Sequence, residues 1–440
     1  MARWSHIAAA MALCLLLAGC PATGAVRGTA HGGLDGAAAI GSDGAAGTGV
    51  PLDPGSSPTA ENSPRLPPYQ GPPAGGPPSA GPLTTVRAAV ELASGTAFRA
   101  DDVVAAPSGG AYVSLAPQDG GGARRLVTVG RTGSRLEVLR SVPTPGVGSV
   151  WGLYRSAGGQ VVVAGRVGAV GPGRGGYGFD VVDPVSGVVR VDVLVPYADG
   201  TISSFGRSGM SADGRTLYLF VSVDLGQVAD ERLLAVDVAT GAVRADRRLG
   251  ADLRAVTLTP IGNGVAGLVA RPHGGVTMAF DAMPASGPLR QVPTLLTYDA
   301  GLHPVGSAVP VIERADGAQT SAVAAAADGT VFLSVQVAQE AWILAVADRG
   351  GAGPVLAQVT KSRYDDALVV EPAQVWALMP APEGARAIDL TDGTFGAPVD
   401  LGCDWQDVRA IAPGSDGSSL LVGVCNSSTT RRQMLWVLGP

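Results

Sequence analysis

The chain has 440 residues, of which 46% are hydrophobic, 15% charged and 5% aromatic, with 64 Gly and 33 Pro. A formal charge of −6 excludes the basic footprint that nucleic-acid binding needs, and the scarcity of aromatics leaves a core to be built from Val, Leu and Ala. Lys361 is the single lysine, and His273 and His303 are the only histidines beyond the amino-terminal region, which excludes a Walker A loop, a Ser-x-x-Lys pair and a His-Glu-x-x-His zinc site.

At the amino terminus, Arg3 precedes an apolar run from Ile7 to Leu17. This is the layout of an export signal, and it is shorter than the about 20 residues that span a bilayer. The run ends in Leu17-Ala18-Gly19-Cys20, which resembles the lipobox of bacterial lipoproteins. The resemblance implies that residues 1–20 are a signal peptide and that the Cys20 thiol takes a diacylglyceryl group and becomes the new N-terminus. It also implies a domain held at the cell membrane, on the extracytoplasmic side, by more than one acyl chain such as palmitate. An ordinary cleaved signal with an incidental cysteine is the alternative. Residues 21–83 are nearly all Ala, Gly, Pro, Ser and Thr. Such a stretch cannot bury enough apolar surface to offset its ordering entropy, and a disordered linker is expected.

From residue 84 to 440 the pattern changes to short apolar segments separated by turn residues. DDVVAAPSGGAYVSLAP from Asp101 reads as a strand, a turn and a strand, with RRLVTVGR and RLEVLRSV as the third and fourth. A second copy runs from Ser149 through VWGLYRSAGGQVVVAGRV to YGFDVVDPVSGVVRVDVLV. The third is the clearest: SSFGRSGM, SADG, RTLYLFVSV, RLLAVDV, ATG and AVRADRRLG. A fourth starts near Leu253, with a long insertion at about residues 271–291. The fifth is SAVAAAADGTVFLSVQV, AWILAVAD and PVLAQVT; the sixth spans DALVVEPAQVWAL to GAPVDL; the seventh runs from Trp405 to RRQMLWVLGP. Asp-x-x-Ser/Thr/Asp-Gly turns at Asp183, Asp237 and Asp389 supply side-chain acceptors and a glycine for positive φ.

A four-stranded sheet apolar on both faces cannot stand alone, and its first-hairpin turns recur roughly 44 to 65 residues apart. The copies resemble the blades of a seven-bladed β-propeller of the YVTN/WD40-like superfamily, with SADGRTLYLF and LLAVDVATGAVR carrying the likeness best. The seventh copy stops after three strands, while residues 85–92 form a spare strand ahead of the first copy. A ring closed by the N-terminal strand requires that pairing of a deficit with a surplus. If the last first-hairpin turn is centred near Gly414 or Ser415, Cys403 falls across from Cys425 and a disulfide is expected in an exported domain, the alternative being two free buried thiols.

Chemistry is harder to find. Ala235-x-Asp237-x-x-Thr240-Gly241 resembles the blade motif of quinoprotein dehydrogenases, but Ala245 stands where that motif ends in a docking tryptophan, so the likeness extends to the fold and no cofactor is expected. Gly171-Pro-Gly173-Arg-Gly-Gly176 matches G-x-G-x-x-G between two strands without a helix to bind phosphate, and reads as a hairpin loop. Asp365-Asp366 precedes an inner strand and is a candidate ligand-facing pair. Trp151 and Trp405, at inner-strand starts, are candidates to reach a binding face; the other tryptophans read as wedges between blades. His273 and His303 flank turn residues and read as exposed.

The expected function is a membrane-anchored binding or scaffolding module for a protein, glycan or small ligand, with contact loops around residues 171–178 and 273–291. The alternatives are an exported lactonase-like or lyase-like enzyme using channel carboxylates, and a structural envelope factor without a ligand.

Overall fold

The computed structural model describes residues 85–118, 123–168, 175–196, 203–224, 229–254, 265–283, 291–311, 318–326, 329–337, 340–346, 355–360, 368–370, 375–378, 385–388, 398–427 and 430–439. Cys20, the linker and Asp365-Asp366 lie outside them.

Strand β1 (Thr85–Ser94) comes first. Blade 1 follows as β2 (Phe98–Ala105), β3 (Ala111–Pro117), β4 (Arg124–Thr132) and β5 (Arg135–Thr144). Blade 2 is β6 (Val147–Arg155), β7 (Val161–Val167), β8 (Gly176–Val182) and β9 (Val189–Pro196). Blade 3 is β10 (Ser203–Met210), β11 (Thr216–Asp224), β12 (Ala229–Asp237) and β13 (Val243–Arg248). A five-residue helix α1 (Gly250–Arg254) leads to blade 4: β14 (Val265–Ala270), β15 (Val276–Ala282), β16 (Val292–Tyr298) and β17 (Val309–Pro310). Blade 5 is β18 (Gln319–Ala325), β19 (Val331–Val337), β20 (Glu340–Val346) and β21 (Val355–Thr360). Three strands of blade 6 are described, β22 (Leu368–Val370), β23 (Val375–Leu378) and β24 (Ala385–Ile388). Blade 7 is β25 (Trp405–Pro413), β26 (Ser419–Ser427) and β27 (Thr430–Gly439), completed by β1.

Each sheet is antiparallel and ordered as the chain runs, except the last, which reads β1-β27-β26-β25. The spare strand therefore closes the ring: Thr85 pairs with Gly439 and Ser94 with Arg432. The first strands of consecutive blades touch in order from β2 round to β25, and β25 returns to β2. The core is correspondingly split into layers between blades. One layer joins β11 and β12 to β15 and β16 through Tyr218, Phe220, Met278 and Phe280. Another joins blades 7 and 1 through Leu420, Val422, Leu435, Val113 and Val127. Sandwiching explains why β3 is buried along nearly its whole length, whereas the outer strand β5 exposes most of its residues.

Two sequence expectations for blade 4 are corrected. Leu253 belongs to α1, where it is buried, and opens no strand. The supposed insertion at residues 271–291 contains β15, with His273 in the turn before it and residues 284–290 outside the description. Gly274 and Gly275, both at positive φ, make a tight hairpin between β14 and β15.

Candidate functional site

Successive strands of each blade run from one face of the ring to the other. Strand pairs 1–2 and 3–4 join on what we term the turn face. Pairs 2–3, and the connections between blades, lie on the opposite loop face. On the turn face, Asp183, Asp237 and Asp299 accept backbone N–H groups of their own turns, at 2.8–3.1 Å for the first, 2.9 Å for the second and 2.8–2.9 Å for the third. The N–H groups of Ser186, Thr240 and His303 are the main cause that holds these carboxyls below their ordinary range. These acids are turn builders. His303, 75% exposed beside Asp299, and exposed His273 also sit in turns, as expected.

The loop face holds the other candidates. Trp405 opens β25 and is partly exposed. Cys403 bonds Cys425 with Cα atoms 5.5 Å apart. The register differs from the expected one: the hairpin turn is centred on Asp416, Gln406 faces Cys425, and Cys403 lies in the segment just before the strand. The flanks of the glycine-rich loop, β7 and β8, meet this face, with residues 171–174 themselves outside the description.

The inner strands share a feature that the alternation pattern concealed. Five of them carry a β-bulge four residues before their last residue: Asp101, Trp151, Ala266, Ser321 and Arg409. Strand β10 of blade 3 runs without one. A bulge turns an extra residue out of the ladder and re-aims side chains, and here this happens at a single height around the channel. Trp151 is thus the fifth residue of β6, not its start. It stacks on Tyr177, with ring centroids 5.3 Å apart, and lies over Gly206, where a Cβ would fall 2.1 Å from the ring. It wedges blade 2 against blade 3. Trp436, 1% exposed, is a wedge too.

The layer is held by polar bonds across blades. The N–H preceding two of the bulges is taken by a side chain of the previous blade. Ala100 donates to Gln433 Oε1 at 3.0 Å, and Thr320 donates to Asp281 Oδ1 through N (2.8 Å) and Oγ1 (2.9 Å). Arginines bridge blades as well: Arg207 Nε donates to the carbonyl of the bulge residue Ala266, and Arg124 Nη2 to Gly148 O at a second irregularity near the start of β6, each at 3.0 Å. Buried Arg124 also pairs with Asp101 and donates to Ser114 Oγ at 3.0 Å. Arg409 pairs with Asp407.

Beside this layer three carboxyls titrate high. Burial pushes Asp102 up to about 7, with the charge of Asp101 adding to it and the Val103 and Leu153 N–H groups opposing it. Burial likewise lifts Asp180 and Asp281 to about 6. Tyr154, whose hydroxyl lies 3.0 Å from Ser208 Oγ on β10, is raised by the same cause. Asp102, through the Leu153 N–H, and the Tyr154–Ser208 hydroxyl pair thus link the inner strands of blades 1, 2 and 3. The doublet Asp101-Asp102 was the one visible sign in the sequence, since two adjacent acids break a period of two. Among the described residues, no three or more His, Cys, Asp and Glu side chains are grouped to hold a metal ion.

No family model matches the chain, and no curated protein matches it. Among solved structures, an oligogalacturonate lyase in complex with manganese aligns with a TM-score of 0.51 at 12% identity, over 75% of this chain and 86% of its own. An oligogalacturonate lyase from Vibrio parahaemolyticus aligns with a TM-score of 0.51 at 12% identity, over 79% of this chain and 93% of its own. These likenesses speak to architecture. With the closed order of sheets, they make the chain a seven-bladed β-propeller of four-stranded antiparallel blades, sealed by its own N-terminal strand.

Proposed function

We propose that this chain is a lipid-anchored, extracytoplasmic binding or scaffolding propeller for a protein, glycan or small ligand. The observation that carries the reading is the layer of bulges, which sets Asp101, Trp151, Ser321 and Arg409 at one height on a rigid ring. A closed scaffold whose wall is cross-braced between blades suits recognition, because little ordering entropy is lost on binding. The lipobox-like Leu17-Ala18-Gly19-Cys20 supports the anchor, and the Cys403–Cys425 disulfide suits an oxidising compartment. The test is metabolic labelling with a palmitate analogue and membrane fractionation of the wild type and Cys20→Ala, followed by crosslinked capture of partners. Label and membrane association in the wild type alone support the anchor. Label in both, or in neither, overturns it.

A second reading is favoured by one specific observation, the acid pair Asp101-Asp102. A carboxyl poised near pH 7 beside a second acid is placed to move a proton, and the solved neighbours named above are lyases. On this reading the protein is an exported lyase-like or lactonase-like enzyme. Asp102→Asn would then abolish turnover of an acidic oligosaccharide while leaving its binding intact.

A further inference from the structure

The loop-face rim of blades 7, 1 and 2 carries several exposed arginines in a chain of net charge −6. Arg99 lies near the start of β2 and is exposed. Arg125, near the start of β4, is exposed and sits over the Phe98 ring, 5.3 Å from its centroid. Arg166, next to the last residue of β7, is exposed and pairs in the ladder with Ser149 on β6. Arg409, exposed at the bulge midway along β25 and ion-paired with Asp407, stands below this rim on the inner strand that touches β2. Of the acids described there, Asp101 is engaged by Arg124, Asp407 by Arg409 and Glu91 by Arg432 at 3.8 Å, while Asp102 is half-buried and Asp400 and Asp404 are exposed. Partly exposed Trp405 stands at the first position of β25 on the same rim.

We infer that this rim binds an anionic glycan, a chain of sugars bearing carboxylates, across blades 7, 1 and 2. Guanidinium forks match carboxylates in geometry and hold them better than point charges do. Arginines on three neighbouring blades suit carboxylates repeated along a chain, and an aromatic ring on the same face suits the apolar face of a sugar. The inference rests on the binding reading above and names the ligand class of the same channel mouth.

The test uses the full-length chain in detergent, titrated by calorimetry with hexagalacturonate, with neutral maltohexaose and with an oligo-aspartate of equal charge. Hexagalacturonate is expected to bind, more weakly as salt is raised. Maltohexaose and oligo-aspartate are expected to bind at least tenfold more weakly. Arg99→Ala and Arg125→Ala, both at exposed positions, should each lower affinity several-fold with an unchanged thermal midpoint. Arg99→Glu should lower it further. Absence of hexagalacturonate binding, equal binding of either control, or indifference to all three substitutions overturns the inference. Its failure is separable from that of the anchor, because labelling of Cys20 does not depend on any rim arginine.

Discussion

At the scale of single residues, one buried and two half-buried carboxylates dominate the pH behaviour. Asp102, Asp180 and Asp281 have folded pKa values of about 7, 6 and 6, above the ordinary value of 3.8. A group raised by folding binds its proton more tightly in the folded chain, so its contribution is most favourable below 3.8 and is lost as pH rises through the folded value. The turn acids Asp183, Asp237 and Asp299 work in the opposite direction, stabilising above the ordinary value and losing that as pH falls. The thermal midpoint should therefore rise between pH 8 and pH 5 and drop again in stronger acid, which calorimetry across that range would reveal. Asp281→Asn keeps an acceptor for Thr320 and removes the charge. It should stabilise at pH 8 by roughly 1–2 kcal/mol, with allowance for partial exposure, and the gain should shrink as pH falls through 6 and vanish only below about 3.8. Gly206 is constrained from the other side. Its Cβ would meet the Trp151 ring at 2.1 Å, so Gly206→Ala should cost about 1–3 kcal/mol and shift tryptophan fluorescence.

Among elements, the hairpins and the closing strand matter most. The Cys403–Cys425 bond spans a sequence separation of 22 and ties the segment before β25 to the end of β26. Replacing both cysteines by serine should cost roughly 3 kcal/mol in the chain-entropy account, measured by denaturant unfolding in parallel with the reduced wild type. Outer strands are fastened to the next blade by arginine. Arg140 of β5 donates to Val185 O and to Ser186 O at 2.9 Å, and Arg190 of β9 donates to Ala239 O at 2.6 Å and Val238 O at 2.5 Å. These clamps repeat from blade to blade, yet an exposed arginine on an outer strand looks like any other surface charge in the sequence. Strand β1 has the largest consequence. Its removal would bare the whole β27 edge and uncover Leu435 and Val437, so deletion of residues 85–94 should abolish cooperative unfolding and bring aggregation, read by calorimetry and light scattering.

For the whole molecule, stability resides in the contacts between blades, because each hydrophobic layer is shared by two sheets. A ring of this kind has no free end from which to unravel. We expect limited proteolysis of the intact domain to stop at loop-face connections, leaving the blades associated, whereas the β1 deletion is digested throughout. The same closure gives the channel mouth its rigidity, and with it the binding reading and the arginine rim acquire a common scaffold.

Periodicity and turn chemistry were legible from the residues alone. Strands of period two, glycines at hairpin turns such as Gly214 and Gly241, the deficit of one strand in the last copy and the surplus strand at residues 85–92 determine a closed ring, because each is a local rule with no cheap alternative. Blade 4 departs from the expected pattern because Pro272-His273-Gly274-Gly275 looks like the start of a loop, and only pairing with β14 and β16 makes residues 276–282 a strand. The bulges, the arginine bridges to Gly148 and Ala266, and the raised carboxyls could not be read in advance. Each depends on which side chain of one blade meets which backbone group of the next, and that meeting is set by the packing of sheets far apart in sequence.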